Sequence, residues 1–189
     1  KAKEADIGEV YVAAEDKEIV DDVISNGGKA ILTGNKHKTG SDRIFECYEK
    51  LNLLDIDYII NLQGDEPNIE INDLKHLSKL IKIHKPEIGT LASEIDDQSN
   101  LNNENIVKVI TESKITDVNF PLAKDFKRKL KNFELNTYHH LGIYAYKPDV
   151  LKKIVKLKQT NSEIENRLEQ LRAIENRIKI NVALAKSCS

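Results

Sequence analysis

The segment Gln63-Gly64-Asp65-Glu66-Pro67 carries a strand-like run, Tyr58 to Leu62, into an acidic turn. Glycine lacks a Cβ, so the backbone there can come close to a ligand. A carboxylate at the carboxyl end of a strand lies where open α/β sheets bind ligands. Mg²⁺ usually takes one or two protein carboxylates with substrate phosphate oxygens and waters, so a single aspartate, Asp65, suffices as an anchor. Taken alone, such a turn is more often a solvated loop. A second polar segment holds Thr33, His37, Thr39, Gly40, Ser41, Asp42 and Arg43 and leads straight into a helical pattern. Ser41 or Asp42 suits the N-cap. The helix amino end and Arg43 together suit an anion, either nucleotide phosphates or the carboxylate of an acid sugar. The competing reading is an ordinary helix cap beside a surface arginine.

These groups must be held by the elements around them. Glu9 to Ala13 reads as a short strand, and Asp16 to Asn26 as a helix with Ile19, Val20, Val23 and Ile24 on one face, stopped by Gly27 and Gly28. Lys29 to Leu32 is a second strand, Ile44 to Leu51 marks an amphipathic helix, and Tyr58 to Leu62 is a third strand. Leu74, Leu77, Leu80 and Ile81 define a helix ending before Pro86, and Gly89 to Ile95 returns to extended structure. Further strands are expected at Val107 to Thr111, Leu141 to Tyr146 and Ile178 to Ala185, with a loop or short subdomain segment at Lys124 to Lys131 and a helix over Glu163 to Ile174. Strand and helix alternating at close intervals imply an α/β domain, a mostly parallel sheet with helices on both faces.

The 189 residues suit one domain, 1–189, with a substantial core. The 29 Lys and Arg nearly balance the 31 Asp and Glu, so no long-range field gathers nucleic acid or an anionic membrane, and phosphate must be held locally. Cys47 and Cys188 follow no metal or disulfide spacing, which suits a reducing cytoplasm. No apolar run approaches the roughly 20 residues needed to span a bilayer, and no signal peptide is visible. The expectation is a soluble cytosolic protein.

The threonine-glycine-serine-aspartate-arginine loop and the Gln-Gly-Asp-Glu-Pro turn stand in an order that resembles the 3-deoxy-manno-octulosonate (Kdo) cytidylyltransferase family. Asn105 to Val109 (NIVKV), His140 to Tyr146 (HLGIYAY), and Glu163 with Leu168 to Arg172 (LEQLR) extend the likeness from about Lys1 to Lys186. The resemblance implies a Rossmann-like nucleotide-diphospho-sugar transferase fold, a mixed, mostly parallel sheet with a small dimerisation subdomain, within a homodimer contacting through Leu101 to Leu135. It implies that CTP and Kdo yield CMP-Kdo and pyrophosphate for lipopolysaccharide biosynthesis. Asp65 would hold Mg²⁺ with the CTP phosphates, Gln63 and Gly64 would line the nucleotide–sugar junction, and Arg43 with Ser41 would contact the nucleotide or sugar side. His140, Tyr144, Glu163 and Gln170 would face Kdo. Spacing alone leaves His140 and Tyr144 open to being inward strand residues, and Glu163 and Gln170 to being ordinary helix residues.

This chain departs from the family pattern in several places. It enters near the end of the family's first helix, so no residue is assigned to the glycine-containing phosphate loop, and the turn bearing a second metal aspartate is also missing. Ala13, Ala14 and Glu15 stand where alanine, threonine and aspartate are usual, Phe120 runs directly into Pro121 across a serine-arginine segment, and Asn166 replaces a glutamate. The expectation is an incomplete copy of a cytidylyltransferase, with a noncatalytic nucleotide-binding remnant or activation of another acid sugar, such as sialic acid, as alternatives.

Overall fold

Apolar alternation and amphipathic stretches produce eight strands and seven helices in the computed structural model, which describes residues 1–64, 69–95, 98–130 and 134–186. In chain order these are α1 (Ala2–Ala5), β1 (Val12–Ala14), α2 (Lys17–Ser25), β2 (Ala30–Leu32), α3 (Gly40–Leu51), β3 (Ile59–Leu62), α4 (Ile71–His84) and β4 (Ile88–Ser93). There follow β5 (Lys108–Thr111), β6 (Ala123–Lys127), β7 (Thr137–Tyr146), α5 (Pro148–Lys156), α6 (Asn161–Asn166), α7 (Gln170–Glu175) and β8 (Ile180–Leu184), with a short 3₁₀ turn, Gln98–Leu101, ahead of β5. Among the described residues no helix is long and apolar enough to cross a membrane.

Strands β1 and β2 form a parallel pair, Val12 opposite Ala30 and Ala14 opposite Leu32. The other six build one sheet in the order β6-β5-β7-β4-β8, with β3 alongside the last four residues of β7. Within it β4 and β8 pair in parallel, while β3, β4 and β5 all pair antiparallel with β7, and β6 antiparallel with β5. The expected mixed sheet is present, with the difference that its larger part is joined mainly by antiparallel ladders and not mostly by parallel ones. The pairings show why. Strands β3, β4, β5 and β8 run in one direction, as repeated strand-helix units require, but β7 enters among them with the opposite sense and takes three of them as partners.

Side chains alternate across the sheet, so β3, β4, β7 and β8 each feed two cores. Ile88, Val109, Tyr144, Leu151, Leu171 and Ile180 belong to one cluster, under α5 and α7. Leu74, Leu77, Leu91, Leu141, Ile143 and Ala183 belong to the other, under α4. Gly89 allows α4 this close approach, since a Cβ there would lie 2.9 Å from Ile81 Cγ2 and 3.0 Å from Phe120 Cζ. Helices on both faces are therefore present.

Two local expectations change, and one helix, α5, was not expected. The basic stretch expected as a loop contains β6, where Phe126 turns inward between charged neighbours, a pattern suited to an edge strand. Pro148 opens α5 from the first turn, where its missing N–H costs nothing. The single helix expected over Glu163 to Ile174 is broken at Arg167, which takes a left-handed conformation (φ 54°, ψ 48°) and separates α6 from α7.

Candidate active site

Thr39, and neither Ser41 nor Asp42, caps α3. The Asp42 N–H donates to Thr39 Oγ1 while the Thr39 N–H donates to Asp42 Oδ2 at 3.2 Å, a reciprocal capping box. Capping from two residues before Ser41 turns that serine inward, where it is buried with its Oγ 3.3 Å from Tyr146 Oη. Arg43 faces back across the loop, with Nη1 donating to Thr33 Oγ1 (2.7 Å) and Gly34 O (3.3 Å) and Nη2 paired with Glu15. Its guanidinium thereby ties the end of β1 to the loop after β2. One turn on, Glu46 accepts the Gly34 N–H at 2.9 Å and pairs with Lys50 and His37. The Lys50 hydrogen bond above all, then the Gly34 amide, draws its carboxyl down to about 2.

On β7, His140, Tyr144 and Tyr146 form a buried aromatic run, with ring centroids 5.3 Å and 5.7 Å apart. Thr90 Oγ1 donates to Ile143 O (2.6 Å) and lies 3.0 Å from His140 Nε2. With its one proton committed, that hydroxyl accepts, so His140 carries its proton on Nε2. Burial, with His139 adding to it, pushes His140 down to about 3, so the ring is neutral near pH 7. Burial likewise raises Tyr144 well above the usual phenol range. Both are uncharged hydrogen-bonding groups.

The segment around the α6–α7 break carries two glutamates in different states. Glu163 is buried and closes a capping box with Thr160, and its oxygens accept from Arg172 Nε (2.8 Å), Arg172 Nη2 and Gln159 Nε2 (3.1 Å). Burial alone would raise its carboxyl, but the Arg172 and Gln159 hydrogen bonds outweigh this and lower it. Glu169 is half-buried as a residue, yet its Oε1 is cut off from solvent and has no hydrogen-bond partner among the described residues. Burial raises its carboxyl, opposed by the hydroxyls of Ser41 and Thr39. Gln170 beside it is buried at the start of α7. Glu169 escaped the sequence reading because a glutamate between Leu168 and Gln170 looks like any helix residue, and only the break at Arg167 turns it toward Thr39 and Ser41 at the start of α3.

Gln63 and Gly64 follow the end of β3, where Asn61 pairs across to Tyr144. The Gly40 backbone passes over that end, and a Cβ on it would lie 3.6 Å from Asn61 Nδ2 and 3.7 Å from Gln63 Nε2. Ser41, Gln63, Tyr144 and Glu169 therefore meet around one strand terminus, with His140 one aromatic contact further along. Arg43 and Glu163 stand at the edges, engaged by protein groups. Asp65, with Glu66 and Pro67, lies outside the described residues. Among the described residues no group of three or more His, Cys, Asp or Glu side chains could hold a metal. Beside the loop opens a cleft of about 690 Å³, with Lys36, His37, Lys38, Lys158 and Arg172 in its walls, and none of the residues meeting at the strand end lines it.

A mixed α/β sheet with a polar, partly buried group at one strand end is the arrangement of a nucleotide-sugar transferase. The fold is shared with a glucose-1-phosphate thymidylyltransferase from Bacillus anthracis, at a TM-score of 0.61 and 15% identity over 97% of this chain and 70% of that one. The cytidylyltransferase profile matches residues 1–180, and this chain belongs to that family. It is 42% identical to the 3-deoxy-manno-octulosonate cytidylyltransferase of Thermodesulfovibrio yellowstonii, over 95% of this chain and 74% of that protein. It is also 38% identical to the 8-amino-3,8-dideoxy-manno-octulosonate cytidylyltransferase of Shewanella pealeana, over 94% and 73%. The solved structure of a CMP:2-keto-3-deoxy-manno-octonic acid synthetase complexed with CTP superimposes at a TM-score of 0.82 with 33% identity, covering 94% of this chain and 72% of that one.

Proposed function

We propose that this chain joins CTP to Kdo, giving CMP-Kdo and pyrophosphate. The anomeric 2-hydroxyl of Kdo attacks the α-phosphorus in line, its proton is lost, and the bond to the β-phosphate breaks. The observation that carries the reading is the meeting of Ser41, Gln63, Tyr144 and Glu169 at the end of β3, in a chain similar to a structure that holds CTP. Reactions of this kind need charge neutralisation and alignment more than a covalent nucleophile. In this proposal Gln63 and Gly64 line the junction of nucleotide and sugar, Ser41 orients the nucleotide side, and His140, Tyr144 and Gln170 face Kdo as neutral hydrogen-bonding groups. Arg43 braces the loop through Thr33, Gly34 and Glu15. Glu163, expected at the sugar, instead supports Gln170 through Arg172, because its oxygens are already taken. Glu169 joins the sugar-facing set. Asp65 would hold Mg²⁺, which supplies positive charge to the phosphate oxygens.

The reading extends to a cytoplasmic homodimer serving lipopolysaccharide synthesis, with the contact in the Leu101 to Leu135 region. Similarity to the 8-amino enzyme of Shewanella pealeana supports one competing sugar. Pyrophosphate release is therefore to be measured with CTP, Mg²⁺ and, in parallel, Kdo, its 8-amino-8-deoxy counterpart and sialic acid. Release with Kdo alone, abolished in Asp65→Asn, is the expected result. Release with the amino sugar alone would reassign the substrate, and binding of CTP without turnover on any sugar would make the chain a noncatalytic relative.

A further inference from the structure

Resting on the reading above, we propose that Arg128 is a positioning residue that sets the α6–α7 corner for its sugar-side groups. Arg128 lies just past the end of β6, and its guanidinium reaches three backbone carbonyls: Nε donates to Asn166 O at 2.8 Å, Nη2 to Arg167 O at 3.2 Å and Nη1 to Glu104 O at 3.1 Å. Asn166 is the last residue of α6, and Arg167 is the left-handed residue that redirects the chain into Leu168, Glu169 and Gln170. A helix end leaves its last carbonyls without intrahelical partners, and a cationic side chain can satisfy them. Here the cation comes from a different part of the fold, so it fixes the direction of the corner as well as closing the helix.

Arg128 is itself held. Lys108, fully buried on β5, donates from Nζ to Arg128 O at 2.8 Å and to Asn103 O. Lys108 pairs in register with His139, and the next residue, His140, donates its N–H to Val107 O at 2.9 Å. A continuous line of contacts thus joins the His140 end of β7, through Lys108 and Arg128, to the corner that presents Glu169 and Gln170. A guanidinium suits this place because its planar fork serves several acceptors at fixed angles, which an ammonium on a flexible stem does not. The three acceptors belong to two separate segments, so losing the fork frees the corner without removing any group from the substrate side.

The test compares Arg128→Lys and Arg128→Ala with the unsubstituted chain, by steady-state kinetics and by hydrogen exchange of the substrate-free protein. The Leu168, Leu171 and Arg172 amides, which donate within the corner, are the reporters. In Arg128→Ala, loss of charge-assisted hydrogen bonds should speed their exchange by roughly tenfold or more. KM for Kdo should rise by roughly tenfold, with KM for CTP changed less than about twofold. Arg128→Lys, which keeps the charge and the fold, should fall between. Unchanged corner exchange in a folded variant would overturn the proposal, as would a raised KM for Kdo without faster exchange, since Arg128 would then act on the substrate itself. If the unsubstituted chain shows no turnover with Kdo, the functional reading fails separately, and the exchange comparison still decides the clamp.

Discussion

Glu163 and Glu169 stand on either side of one chain reversal, and their surroundings give them opposite energetics. Glu163 is neutralised by a buried arginine whose ion pair, among the described residues, is with Glu163, so Glu163→Gln should destabilise by about 3 kcal/mol, because the buried Arg172 charge loses its hydrogen-bonded carboxylate. Chemical denaturation reads this directly, and adding Arg172→Leu should recover part of the loss. Glu169 carries a desolvated oxygen with no partner among the described residues, so Glu169→Gln should hold or raise stability by up to about 1 kcal/mol. The same substitution should reduce turnover at least about tenfold if the carboxylate faces the sugar. A loss of stability in Glu169→Gln would show that its charge is satisfied. His140 adds a pH dependence. Its folded value, about 3, lies below its unfolded value near 6.5, so between these the unfolded chain binds the proton more readily. Stability is therefore complete above about pH 6.5 and falls on acidification, by at most about 1.4 kcal/mol per pH unit. His140→Gln keeps an N–H for Thr90 and should flatten the slope between about pH 6.5 and 5, above the carboxylate range. His139, which burial also lowers, adds to the remaining slope, and Glu169, which burial raises, acts in the opposite sense. An unchanged urea-midpoint profile in His140→Gln would rule out this assignment. None of these states was readable in the sequence, where each residue had only a type and a position.

At the scale of elements, amphipathic patterns located α2, α3 and α4 because an apolar stripe is visible in the order of residues; α4 buries its stripe and α3 packs Ile44 and Phe45 on the core, while α2 buries Val20 and leaves Ile19 and Ile24 exposed. The break between α6 and α7 was not visible. Arg167 carries no glycine or proline signal, and its left-handed backbone is held by Arg128, just past the end of β6. Replacing it with glycine removes the Cβ penalty while keeping the backbone, so Arg167→Gly should raise the unfolding free energy by about 0.5–1 kcal/mol. Thermal unfolding checks this, and a fall in the midpoint would mean that the arginine side chain stabilises the turn. The β6 strand was missed for the complementary reason. Four of its five residues are not fully buried, so its composition reads as a loop until Ile110 and Val109 pair with it. The capping residue of α3 was misplaced by two positions, which matters because the shift turns Ser41 from a surface cap into a buried neighbour of Tyr146.

Across the whole molecule, stability is uneven. Both apolar clusters are built on the six-stranded sheet, and no residue of β1, α2 or β2 belongs to either. A parallel pair of three-residue strands is marginal by itself. Amides of β1 and β2 should therefore exchange by local opening, at least about a hundredfold faster than those of β4, which is buried throughout. Equal protection of the two would mean that the pair unfolds only with the whole domain. Because Glu15 follows β1 and grips Arg43, this side, outside both apolar clusters, also borders the candidate site. The sequence by itself determined the α/β class, the strand-end placement of the Gln63-Gly64 turn, the presence of a helix leading on from the Thr33–Arg43 segment, and the family likeness, since these rest on periodicity and short motifs that survive in one dimension. Only the tertiary structure decided that β7 runs against its neighbours, that His140 is neutral, that Glu163 is spent on Arg172, and that Glu169 meets Ser41. Those outcomes depend on which distant groups share a buried space, and burial and pairing between residues a hundred positions apart leave no local trace in the chain.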